Sequence, residues 1–200
     1  MNIKVSIRGI RPLIMHNGQT ADPLNAYAKA LKKMTAKRGK TDEDYGELAA
    51  VEFEASLYWS DEIGLHLPTD NFQSMLVAGA KRVKLGRQIA AAQVNHPIGF
   101  PLVTEGHTSL AAIKSNHRLR FSKLCNVNNR RILRTRCMIP TGWTCDFNID
   151  LDTEGMDADQ LEEILHLCGA KVGLGDWRPG APKVPGTFGK FVVEKFTAEK

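Results

Sequence analysis

Hydrophobic and polar residues alternate from the start of the chain. Ile3, Val5 and Ile7 are separated by Lys4, Ser6 and Arg8, the two-residue period of a strand buried on one face. From Arg11 to about Thr41 this period dissolves into a polar, basic stretch broken by Pro12, Gly18, Pro23 and Gly39, which predicts an extended insertion holding a short helix around Leu24 to Leu31. Residues 43 to 59 read as a helix whose weakly apolar side carries Tyr45, Leu48, Ala55 and Tyr58. Leu65 and Leu67 end a short extended piece. Phe72, Met75, Leu76, Gly79, Ala80 and Val83 then share one helical face, behind a capping box expected of Asp70 and Gln73.

The second half repeats these periods. Leu119 and Phe121 alternate with Arg118 and Arg120, residues 131 to 138 read as extended, and Trp143 to Leu151 alternates without a break. Asp157 and Gln160 form a second capping-box pair, ahead of a helix with Leu161, Ile164, Leu165 and Cys168 on one face and Gly169 at its end. Lys190 to Phe196 supplies a last strand. The order strand, helix, strand, strand, helix, strand predicts an α+β fold, ferredoxin-like or RRM-like (βαββαβ), as one domain over residues 1–200. Its insertions fall at about 11–60, with a hairpin at about 123–138 turning at Asn128 and Asn129.

Between the last helix and the last strand lies GLGDWRPGAPKVPGTFGK, residues 173 to 190, with five glycines and three prolines. Pro179, Pro182 and Pro185 lack backbone donors, so this is a long loop, and such loops inside a compact domain tend to be functional or disordered. Two readings of it stay open. Its amides can line up on phosphate, with Trp177 and Arg178 adding stacking and charge, or Trp177 can plug the core of a rigid loop. Asp176 repels phosphate and is expected to cap the loop or pair with Arg178.

Charge sharpens the picture. The formal net charge is +5, yet the 40 residues from Gly106 to Cys145 contain no Asp or Glu and carry Lys114, Arg118, Arg120, Lys123, Arg130, Arg131, Arg134 and Arg136. The positive excess is therefore local, and it points to a polyanionic partner. Lys4 and Arg8 on the first strand, and Lys81, Lys84 and Arg87 beyond the helix that starts near Asp70, are further candidate contacts. The polar faces of the strands carry no aromatic residue, so the stacking platform of an RNA-recognition motif is missing. Contact is expected through phosphates, tolerant of base sequence.

Catalytic patterns are sparse. The four cysteines, Cys125, Cys137, Cys145 and Cys168, match no zinc spacing or paired redox motif and are expected to be reduced, small hydrophobes. No cofactor or metal is expected. His16, in PLIMHNG, is the weak catalytic candidate: beside a cation it can serve as acid or base in metal-independent RNA cleavage. No run approaches a membrane span and the first residues lack a signal-peptide core, so a cytoplasmic protein is expected.

Two stretches, GAKVGLGDWRPGAPKVPGTFGKF and HLPTDNFQSMLVAGAK, resemble the repeat-associated mysterious proteins (RAMP superfamily) of CRISPR effector complexes. The likeness covers about half the chain and is closest to the backbone subunits that polymerise along guide RNA, in which an inserted hairpin acts as a thumb. It implies one RAMP-like domain that binds single-stranded nucleic acid, RNA favoured over DNA, as a homo-oligomer or a subunit of a ribonucleoprotein. The chain is short for such a subunit and its loop has prolines where the family prefers glycine. The chain also resembles small proteins of bacteriophage genomes, which would make it a stand-alone relative of the family, and a protein-interaction module that mimics a CRISPR subunit is a further class.

Overall fold

The computed structural model describes residues 1–105, 109–127, 130–182 and 184–199. In chain order they form β1 (Asn2–Gly9), β2 (Leu13–Ile14), α1 (Ala26–Ala36), α2 (Asp42–Ser56), β3 (Trp59–Ser60), β4 (Gly64–Pro68), α3 (Thr69–Arg82), β5 (Ala92–Val94), β6 (Gly99–Val103), α4 (Leu110–Ser115), β7 (Arg120–Val127), β8 (Arg130–Ile139), β9 (Thr144–Leu151), α5 (Ala158–Leu167) and β10 (Phe191–Glu199). The architecture is α+β. Helices pack on two sheets whose neighbouring strands all run antiparallel.

The larger sheet runs β10-β1-β9-β6-β4-β3, with β5 also on β9. β5 and β6 share one flank of β9: Ala92–Val94 pairs with Ile149–Leu151, and Leu102 and Val103 pair with Cys145 and Thr144. Ile3, Val5 and Ile7 of β1 and Cys145, Phe147 and Ile149 of β9 are buried, as alternation dictates. Against them lie Phe72, Met75 and Leu76 of α3 and Leu161, Ile164 and Leu165 of α5. The Phe72 ring stands 4.4 Å from Phe147 and 5.5 Å from Phe100 between centroids. A Cβ at Gly79 would strike the Cys168 sulfur, so glycine lets α3 approach the end of α5.

Two expectations are corrected here. Asp70 and Gln73 form no capping box: α3 starts after Pro68 without a side-chain cap. The Gln73 amide instead donates to Ala92 O (3.2 Å) and accepts from Val94 N (3.0 Å), completing hydrogen bonds that β5 leaves open. The extended pieces expected at 118–121, which begins only at Arg120 after a 3-10 turn over His117–Leu119, and at 131–138 do not join the main sheet either. They belong to the second sheet, order β2-β8-β7, and the place beside β9 is taken by β5 and β6. The other helix starts follow local chemistry. Asp157 and Gln160 make their reciprocal cap, and Thr41 with Asp44 makes another at α2.

In the second sheet β7 and β8 pair from Arg120 with Cys137 to Val127 with Arg130; the expected turn residues Asn128 and Asn129 lie outside the described residues. β2 covers only Ile139 and Met138 of β8. Beyond it α2 takes over the strand edge, Ser56 Oγ accepting from Cys137 N (2.9 Å) and Glu52 Oε2 from Thr135 N (2.8 Å). The glycine-rich segment is pinned to β2 by Asp176 N to Ile14 O (2.9 Å) and Gly189 N to Pro12 O (2.8 Å), and to itself by Leu174 N to Gly189 O (3.0 Å). Trp143 joins the two sheets: fully buried, it packs on Gly9 and donates to Arg11 O at 2.9 Å. Among the described residues no helix is long and apolar enough to cross a membrane.

Candidate nucleic-acid interface

Alternation along β7 and β8 divides their cations. Phe121, Lys123 and Arg136 face the glycine-rich loop, where Trp177 waits: Phe121 stands 6.0 Å from Trp177, Lys123 Nζ lies 4.8 Å from the indole centroid and the Arg136 guanidinium 4.7 Å. Phe188 closes the same aromatic cluster at 5.5 Å from Phe121. On the other face Arg120 lies 5.5 Å over Phe53 of α2. Such contacts hold a cation in place without neutralising it.

The remaining candidates are placed as follows. Arg118 and Arg131 are exposed and carry no ion pair among the described residues. Arg134 is bound to Glu52 at 2.5 Å, Lys114 to Glu54 at 2.7 Å, and Arg136 to Asp176. Arg130 opens β8, and its side chain lies outside the described residues. Lys81, Lys84 and Arg87 are exposed around the end of α3, on the helical side of the main sheet and apart from the hairpin. Lys4 and Arg8 project from the opposite face of that sheet, paired with Glu199 (2.6 Å) and Glu194. Asp146 and Asn148 stand across from Ser6 and Lys4. That face is of mixed charge, and its two candidate contacts Lys4 and Arg8 are both paired with carboxylates.

Trp177 is 9% exposed and Arg178 donates to Gly175 O at 2.7 Å. Of the two readings of the loop, the packed one describes the geometry: most of its amides already have backbone partners, including Gly180 on Val172 O and Gly186 on Arg178 O. Glycine is needed at Gly189, whose φ is +67° and whose Cβ would collide with Leu174 O. Asp176 pairs with Arg136, and among the described residues makes neither the loop cap nor the Arg178 pair expected of it.

His16 follows β2 and joins this cluster. Its Nδ1 is 3.8 Å from Asp176 Oδ2, Arg136 Nη2 donates to its Nε2 at 3.4 Å, and the Tyr58 hydroxyl donates to its carbonyl at 2.6 Å. Half of its side chain is open to solvent, yet enclosure of the ring's inner side, and next the Arg136 charge, lower its pKa to about 4. At neutral pH the ring is uncharged, with Nε2 as acceptor and the proton on Nδ1. Burial raises the Tyr58 pKa.

Between α1, α2 and β8 opens a cleft of ≈ 390 Å³, lined in part by Leu31, Lys32, Glu52, Arg134 and Arg136. Sequence reasoning missed Lys32, Glu52 and Tyr58, which sit far from the hairpin in the chain. A weak signal existed for the first: Lys29, Lys32 and Lys33 crowd one short helical stretch. Among the described residues no group of His, Cys, Asp and Glu has a metal-holding arrangement. Cys137, Cys145 and Cys168 are buried, and burial raises their thiol pKa values. No protein-family model matches this chain, and no curated protein matches it either.

Proposed function

We propose that this chain is a non-catalytic single-stranded nucleic-acid-binding protein that holds its ligand by phosphates along the β7–β8 hairpin. The observation that carries the reading is that β7 and β8, the middle of the acid-free segment, pair into one two-stranded arm. Arg131 is exposed on it and Arg118 is exposed in the turn His117–Leu119 just ahead of it, and Lys123 and Arg120 are held over aromatic rings. A flexible strand laid along such an arm meets Lys123 and Arg131 without carboxylate partners among the described residues, whereas Arg134 and Arg136 already hold Glu52 and Asp176. The order β10-β1-β9-β6, with α3 and α5 on one face, supports assigning the core to the ferredoxin-like split βαβ type. With the glycine-rich loop it also supports a RAMP-like relationship. RNA as ligand and side-by-side assembly along it rest on that relationship.

The test is fluorescence anisotropy with a mixed-sequence 40-mer over a salt series. Each lost phosphate contact removes about 0.7 from the log–log salt slope on single strands, so changing Arg118, Lys123 and Arg131 together to Ala should flatten it by about 2. An unchanged slope removes the hairpin from the proposal.

A second reading, metal-independent RNA cleavage, is favoured by the Asp176–His16–Arg136 constellation. It needs Arg136 to leave Nε2 before His16 can accept a proton there. Labelled RNA shortened in EDTA by the wild type and left whole by His16→Ala would establish it.

A further inference from the structure

We propose that the cleft between α1, α2 and β8 receives one nucleotide unit of the bound strand, its base against carbon and its phosphate on the cations; this rests on the single-strand reading above. The volume, ≈ 390 Å³, lies within the about 300–1,000 Å³ of small-molecule sites. The lining matches both halves of a nucleotide. Ala28 and Leu31 of α1 and Ala55 of α2 offer apolar surface for a flat ring, and Lys32, Arg134 and Arg136 supply positive charge.

The charge balance points the same way. Arg134 is held by Glu52 and Arg136 by Asp176, while Lys32 is exposed and has no ion pair among the described residues. With His16 neutral, three cations face two carboxylates, and the remaining positive charge is what one phosphodiester balances. Glu52 does not repel the ligand freely, because both its oxygens are occupied, one by Arg134 and one by the Thr135 amide. α1 has no fully buried residue, so this wall can adjust its distance from β8 as the base enters.

The experiment is calorimetric titration of the full chain with uridine 5′-monophosphate, adenosine 5′-monophosphate, uridine and inorganic phosphate, beside anisotropy with the 40-mer. The expected result is nucleotide binding about tenfold or more tighter than uridine or phosphate alone. Ala28→Trp, which fills the apolar wall, and Lys32→Glu, at an exposed position, should each weaken it by about tenfold. Equal affinities for nucleotide and phosphate, or variants that bind like wild type, overturn the pocket. A protein that holds the 40-mer without the nucleotide loses the pocket and keeps the hairpin surface, and one that holds neither loses both. Binding of the nucleotide alone overturns insertion of a strand residue and makes the cleft a site for free nucleotides.

Discussion

Glu52 is 8% exposed in the last turns of α2, and its two oxygens serve two masters: the Arg134 guanidinium and the backbone amide of Thr135. Glu52→Ala leaves a strand amide and a cation without partners, and should lower stability by about 2–4 kcal/mol in urea titrations. Glu52→Gln, which keeps an acceptor, should lose less. His16 acts through pH. Its folded pKa of about 4 lies below the ordinary 6.5, so as pH falls below about 6.5 the unfolded chain takes up a proton that the folded chain refuses until near 4. Stability from this group is present above 6.5 and declines as pH drops towards 4. His16→Gln should therefore show a smaller fall in urea midpoint between pH 7 and pH 5 than wild type, and an equal fall would exclude His16 as the cause.

Among the elements, α3 and the glycine-rich loop show how differently local chemistry and tertiary demand weigh. Phe72 on α3 touches aromatic rings of β6 and β9, and Phe72→Ala should cost about 3–5 kcal/mol. Gly189→Ala, forced into positive φ and into Leu174 O, should cost less globally but displace Trp177, visible as a shift in indole emission. Elements whose signal is local were legible in the sequence: β1 and β9 by their period of two, α5 by its reciprocal cap. The strand beside β9 was not, because His96 and Pro97 break it into β5 and β6, each too short for a period to emerge. The extended character of 120–139 was visible, but its sheet was not, since pairing partners are chosen by packing. At the candidate site the cations could be read directly. Their carboxylate partners could not, for Glu52 lies 82 positions from Arg134, and nothing in a linear pattern marks such a pairing.

For the whole molecule, the buried core is continuous across both sheets. Ile3, Val5 and Phe147 of the large sheet share one cluster with Leu13, Phe53, Cys137 and Ile139 around the small one, and Trp143 bridges them. The two sheets should therefore unfold together. Single-tryptophan variants that keep either Trp143 or Trp177, with the other tryptophans changed to Phe, should report the same urea midpoint; a lower midpoint at Trp177 would mean that the hairpin and its loop melt as a separate unit. Assembly belongs to this scale as well: if protomers line up along RNA as proposed, electron micrographs should show ordered filaments with a long RNA and none without it.

The margin of β8 beyond β2 is where a further strand would ordinarily lie, and two side chains of a helix stand in for it. Such stand-ins satisfy donors without offering a new ladder for anything else to climb. Replacing both Glu52 and Ser56 with alanine would bare that border to any extended polypeptide passing by, so the damage would surface first as sticky, thioflavin-positive deposits in concentrated samples rather than as an orderly loss of the native form.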